Sequence, residues 1–98
     1  MQLARFLNNV FKTDGFILVD ANSKNYVIGT PKNKNPIKVK ILNKNLHYKL
    51  LFHPDLYFGE AYTDGEIVIE NGSLTDFLDL SLMNFGRGDL NFFSYLIN

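Results

Sequence analysis

His47 and His53 are the two histidines of this 98-residue chain. Imidazole is both a general base near neutral pH and a common metal ligand. Six residues apart, the pair lacks the His-Glu-x-x-His spacing that sets two imidazoles on one helical face, and there is no cysteine to complete a zinc site. Glu60 and Asp64 stand four apart, so on a helix they share a face, as a general acid and a general base could. Eight acids crowd residues 54–89, however, and solvated surface is the simpler account of that pair. Ser73, Ser81 and Ser94 lack the Gly-x-Ser-x-Gly setting of a nucleophilic serine. The seven glycines form no phosphate-cradling loop, Gly86-Arg87-Gly88 coming nearest. With no cysteine, disulfides, thiolate nucleophiles and cysteine-ligated clusters are excluded. The residues alone therefore nominate no catalytic, cofactor or metal site.

Charge is the stronger signal. Ten basic and ten acidic residues balance, yet residues 21–53 carry seven lysines and no acid, while residues 54–89 carry eight acids against Arg87 alone. Lys32, Lys34, Lys38, Lys40 and Lys44 are the candidate contacts for an anionic lipid surface, each lysine near the headgroups being worth about 1 kcal/mol. The plainer alternative is that the two stretches fold against each other and neutralise. A nucleic-acid partner is not expected, because the basic stretch has no arginine and few interleaved aromatics for base stacking.

The elements that position these residues follow from periodicity. A chain of this length holds one core, and nine Phe with five Tyr argue against disorder. Leu3, Phe6, Leu7, Val10 and Phe11 fall on one helical face, giving an amphipathic first helix that either packs on its own sheet or adds apolar insertion at a membrane. Phe16–Asp20 and Asn25–Gly29 read as a β-hairpin, and Ile37–Ile41 alternates with its lysines outward. Asn43–Phe52 can form a short helix. Pro54 suits the first turn of the next, running to Tyr62 with Phe58 and Tyr62 stacked at i, i+4. Glu66–Glu70 is a strand. Ser73 and Asp76 have capping-box spacing for a helix whose apolar face is Leu74, Phe77, Leu78, Ser81 and Leu82. Gly86–Gly88 reads as its stop, with Asp89 capping a last short helix containing Leu90, Phe93 and Ile97. The expected fold class is α+β: a small, mainly antiparallel sheet with helices packed on one face, residues 1–85 forming one domain and 86–98 a linker and short helix. No apolar run approaches the roughly 18 residues of a membrane span. Met1–Arg5 lacks a secretory signal's apolar block, so a cytoplasmic location is expected and the formal glycosylation acceptor Asn71-Gly72-Ser73 is a chance match.

The run from Leu50 to Glu70 resembles the N-terminal part of the cyclopropane-fatty-acyl-phospholipid synthase family. There a "DP-x-L-x-x-GEAY-x-DG" run, a strand and a "G-[DS]-L-x-x-[FL]-L-x-L" helix recur. Pro54, Asp55, Gly59, Glu60, Ala61, Tyr62, Asp64 and Gly65 match the first motif, and Gly72-Ser73-Leu74, Phe77-Leu78 and Leu80 the second. His53 replaces the usual Asp before the proline. Gly15 before the first strand and Gly29 after the second also fit, so the resemblance covers nearly the whole chain.

The resemblance implies a sterol-carrier-protein-2-like fold for this segment. It also implies a parent methyltransferase that moves a methylene carbon from S-adenosylmethionine to an unsaturated acyl chain. The glycine-rich cofactor turn of that enzyme has no counterpart here, so the chain by itself is expected to carry no catalysis and S-adenosylmethionine belongs to a catalytic domain beyond Asn98. Three roles follow: a lipid-facing or assembly domain serving that methyltransferase domain in cis, peripheral at the inner membrane face; a docking module that packs on it or on a second copy through the first helix or the residues around Phe92, Phe93 and Tyr95; or a stand-alone lipid carrier with an apolar pocket near Phe58, Tyr62 and Phe77.

Overall fold

The computed structural model describes residues 1–85. The expected helix stop at Gly86–Gly88, the short last helix and the docking residues around Phe92 lie outside the described residues. Along the chain come α1 (Gln2–Val10), β1 (Gly15–Val19), β2 (Asn25–Gly29), β3 (Lys38–Ile41), α2 (Leu46–Phe52), α3 (Pro54–Thr63), β4 (Ile67–Glu70) and α4 (Leu74–Phe85). The class is α+β, with the order of elements that the sequence pattern predicts. The four strands lie in the order β2-β1-β3-β4.

Two of the three strand pairings are antiparallel; the third, β1 with β3, is parallel. A parallel neighbour ordinarily needs a long crossover. Here β2 makes the return trip, so residues 30–37 need only step past the starting end of β1. Asp14 fixes that step. It adopts a left-handed conformation, φ 62°, its carboxylate accepts from the backbone N–H of Gly15 at 2.8 Å and of Lys32 at 2.9 Å, and its carbonyl accepts from Thr30 N–H at 3.1 Å. Beside it, Gly15 and Gly29 are register partners. A Cβ on Gly15 would run into the carbonyl of Ile28, and one on Gly29, which has φ +68°, into that of Asp14.

Alternation along the strands separates two faces. Phe16, Leu18, Ile28, Val39, Ile41 and Ile67 join residues of all four helices in one buried cluster, so every described helix packs on the same face. From α1 it takes Leu3 and Ala4, from α2 Leu46 and Leu50, from α3 Phe58 and Ala61, and from α4 Phe77 and Leu80. The first helix thus spends its apolar face on its own sheet, not on a membrane. A ladder of rings runs through the centre: Phe11 meets Phe16 edge-on at 5.1 Å, Phe16 meets Phe77 edge-on at 5.1 Å, and Phe77 stacks on Phe58 at 5.5 Å. Such pairs add roughly 0.5–1.5 kcal/mol each beyond burial.

Local chemistry sets the helix ends. Ser73 and Asp76 form the expected capping box, each side chain accepting the other's backbone N–H, at 2.9 and 3.1 Å. The buried face of α4 is Phe77, Leu78, Leu80 and Ser81. Leu82, expected on that face, is 41% exposed. Ser81 keeps its place inside because its hydroxyl donates to the Phe77 carbonyl at 2.9 Å. Phe58 stacks on Phe77 and not on Tyr62, which lies one helical turn on but points outward.

Replacing Gly29 by Ala combines left-handed strain with a backbone clash and is expected to cost roughly 3 kcal/mol. Gly65→Ala meets only the strain, since nothing lies within 4 Å of its Cβ position, and is expected to cost roughly 1 kcal/mol. Urea titration of both variants ranks them. Equal losses would remove the close approach of β1 and β2 as a constraint.

Candidate functional site

Phe58 and Phe77, two of the three candidate pocket residues, line an interior cavity between sheet and helices together with Leu7, Phe16, Val39 and Ser81. Its volume is about 60 Å³, against roughly 300–1,000 Å³ for a small-molecule pocket. The lining is apolar apart from Ser81, whose hydroxyl is already satisfied within α4. Tyr62 is outside this lining and 38% exposed.

The five candidate lysines divide among three places. Lys32 and Lys34 are exposed in the loop at the starting end of β1. Lys38 and Lys40 stand on the outer face of the sheet, which none of the described helices covers, among Ile17, Val27 and Val68. Lys44 lies beyond the other end of β3. The basic and acidic halves of the chain meet on the outer face, where Lys40 Nζ is 3.2 Å from Glu70 and both side chains are more than a third exposed. Such a pair contributes no more than about 1 kcal/mol. The face also leaves Val27 59% and Leu42 56% exposed.

The resembling motif proves to be the frame of α3. Pro54 opens the helix at its first turn. Gly59 and Ala61 are buried. At the far end Gly65, φ +77°, donates to the Tyr62 carbonyl at 3.2 Å and Glu66 donates to that of Ala61 at 2.8 Å, a Schellman stop. Glu60 and Asp64 are exposed, Asp64 as the cap residue. For Asp55 only the backbone position within α3 is described.

Two further features were not evident from the sequence. The first is the corner between α2 and α3. Leu46 and Leu50 fix the inner face of α2, which turns Tyr48 and Phe52 outward at 65% and 72% exposure, with Leu56 of α3 at 39%. The four-residue spacing of the three is hidden because Pro54 interrupts it. Lys44 and Lys49 flank them, Lys49 Nζ lying 5.4 Å from the Tyr57 ring, and His53 caps α3 with its ring 6.2 Å from that of Tyr57.

The second is a polar cleft at the end of the sheet where β1 and β3 finish. It is about 560 Å³ in volume and lined by Met1, Gln2, Leu3, Asp20, Lys44, Asn45, His47, Tyr48 and Leu51. Asp20 accepts from the N–H groups of Asn22 and Lys24, each at 2.9 Å, and from the Tyr26 hydroxyl at 3.2 Å. The Lys24 N–H bond leads in holding its carboxyl below the ordinary value. His47 Nδ1 is shielded from solvent and has no hydrogen-bond partner among the described residues. Burial pushes the His47 pKa down, opposed by the nearby Asp20 charge. Among the described residues no group of three or more His, Asp or Glu side chains could hold a metal ion, and no helix is long and apolar enough to cross a membrane.

Because His47 binds its proton less readily in the folded protein than in the unfolded chain, stability is full above the unfolded value near 6.5 and falls as pH drops through the window below it. His47→Gln removes that titration. Between about pH 7.5 and about pH 5.5 the parent chain is expected to lose more thermal stability than the variant. Parallel losses in calorimetry would exclude His47 as the cause.

No protein-family model, curated protein or solved structure matches this chain.

Proposed function

We propose that this chain is a non-catalytic, lipid-engaging N-terminal accessory domain of a cyclopropane-fatty-acyl-phospholipid synthase-like methyltransferase, acting at the cytoplasmic face of the membrane. The family part of this reading rests on the Pro54–Gly65 motif. The catalytic domain in cis, not this chain, would hold S-adenosylmethionine.

One observation carries the lipid-engaging part: the α2–α3 corner exposes Tyr48, Phe52 and Leu56 beside Lys44 and Lys49. Large aromatic side chains left in water on a domain this small mark a contact surface. Aromatic tips beside lysines suit the boundary between headgroups and acyl chains, where one end of the group is apolar and the other wet. Of the acid-free stretch from residue 21 to residue 53, Lys44 and Lys49 lie at this corner and supply the attraction to anionic lipid. Surface engagement is favoured over interior carriage because the core cavity offers only about 60 Å³.

Co-sedimentation with phosphatidylcholine vesicles containing an anionic lipid tests this. Binding is expected, weakening as salt screens the lysines. Phe52→Ser with Tyr48→Ser is expected to weaken binding about tenfold or more, since each ring contributes roughly 1.5 kcal/mol or more when it leaves water. No binding, or unchanged binding by the double variant, overturns the proposal.

A further inference from the structure

We infer that the cleft between β1 and α2 is a binding site for a phosphoethanolamine group, with Asp20 receiving its ammonium and Lys44 and His47 its phosphate. This deepens the lipid-engaging reading and rests on it only for the source of the group.

The cleft has the size of a ligand site, about 560 Å³, and its lining joins opposite charges. Asp20 stands just past the end of β1; Lys44 and His47 come from the entry and first turn of α2. An ion of one sign would meet both an attraction and a repulsion in such a site. A zwitterion meets two attractions, each charge facing its opposite. Asp20 is held in place for this, its carboxylate pinned by the two backbone N–H groups of its own turn and by the Tyr26 hydroxyl. An acceptor-only carboxylate so fixed favours an ammonium with protons to donate over a quaternary amine.

His47 supplies a neutral donor. Its Nδ1 is shielded and finds no partner among the described residues to accept a proton from it, so the proton of the uncharged ring belongs on Nε2. Phosphate oxygens accept from such an N–H as well as from the Lys44 ammonium. Met1, Leu3 and Leu51 add apolar wall beside these polar groups, and Tyr48 belongs both to the cleft and to the exposed corner. A headgroup seated here would leave its acyl chains beside that corner.

Isotope-edited NMR titration of the full chain with O-phosphoethanolamine, with inorganic phosphate and with ethanolamine tests the site directly. Saturable shifts of the Asp20 and Lys44–Tyr48 amides are expected with phosphoethanolamine, at least about tenfold tighter than with either fragment. Asp20→Asn, which keeps an oxygen for the turn N–H groups, is expected to abolish the preference over phosphate. Lys44→Gln is expected to abolish the preference over ethanolamine. No saturable shift overturns the inference, as does equal affinity for phosphate, which would mark a simple anion site. Vesicles containing phosphatidylethanolamine or phosphatidylcholine, both without net charge, distinguish the sources. Stronger binding to the former assigns the group to lipid, whereas soluble binding with no vesicle preference keeps the site and assigns it to the free compound. Vesicle binding that depends on Tyr48 and Phe52 without any phosphoethanolamine titration leaves the accessory role standing and removes this site.

Discussion

The close approach of Gly15 and Gly29 is the constraint on which the rest of the sheet depends. These register partners bring the backbones of β1 and β2 so near that a side chain on either would strike a carbonyl. Glycine at position 29 also supplies the positive φ that turns the chain out of β2. Only from that turn can residues 30–37 pass the start of β1 and set β3 parallel to it. Asp14 completes the step with hydrogen bonds to both sides of it. Glycine costs conformational entropy, and a left-handed Asp14 costs more, so the hydrogen bonds gathered here offset a local loss.

The helices are tied to the same region by asparagines. Asn8 of α1 accepts from Gly29 N–H at 2.8 Å and donates to the Val27 carbonyl at 3.3 Å. Asn84, near the end of α4, accepts from the N–H groups of Lys12 and Thr13 at 2.8 Å each and donates to the Thr13 carbonyl at 2.9 Å. Asn43 reaches Glu66 at 3.2 Å at the opposite end of the sheet. A chain rich in asparagine thus uses several of them as two-ended clamps, where an amide both donates and accepts. Chain topology and helix docking are settled at one end, leaving the other end, with Asp20 and Lys44, free to form a cleft.

Most of the fold was legible because its signals are local. The five-residue apolar repeat of α1, the alternation of β3 and the Ser73–Asp76 box each act within one element, and each element forms as expected. The parallel pairing of β1 and β3 was not legible, since strand order depends on where residues 30–37 cross and not on what β3 contains. Leu82 and Tyr62 misled for a related reason. Helical periodicity proposes a face, but the width of the face is set by the neighbours, and in α4 Phe77 packs between Phe16 and Phe58 while Leu80 is buried and Leu82 is left exposed. The candidate lysines were visible as a run, yet the fold splits them among the loop before β3, the outer face of the sheet and the entry to α2, and on that face Lys40 reaches diagonally to Glu70, the register partner of Lys38. The cleft was least visible of all: its residues come from three places in the chain, and no motif joins Asp20 to His47.

What remains after folding is accounted for points toward the surface rather than the interior. The core consumes Phe11, Phe16, Phe58 and Phe77 and leaves a void of about 60 Å³. It has no use for Tyr48 or Phe52, whose rings stand in water on the side of α2 away from Leu46 and Leu50. Nor does it need the shielded Nδ1 of His47, which a well-packed apolar residue would replace at lower free energy. Residues that weaken the isolated domain, gathered on one short helix and its entry, are most simply explained if their stabilising partners come from outside the chain. On the proposed reading a lipid surface would offer apolar depth to the rings and charged headgroups to the cleft beside them, while the shielded Nδ1 keeps the imidazole proton on Nε2, where a phosphate oxygen can accept it.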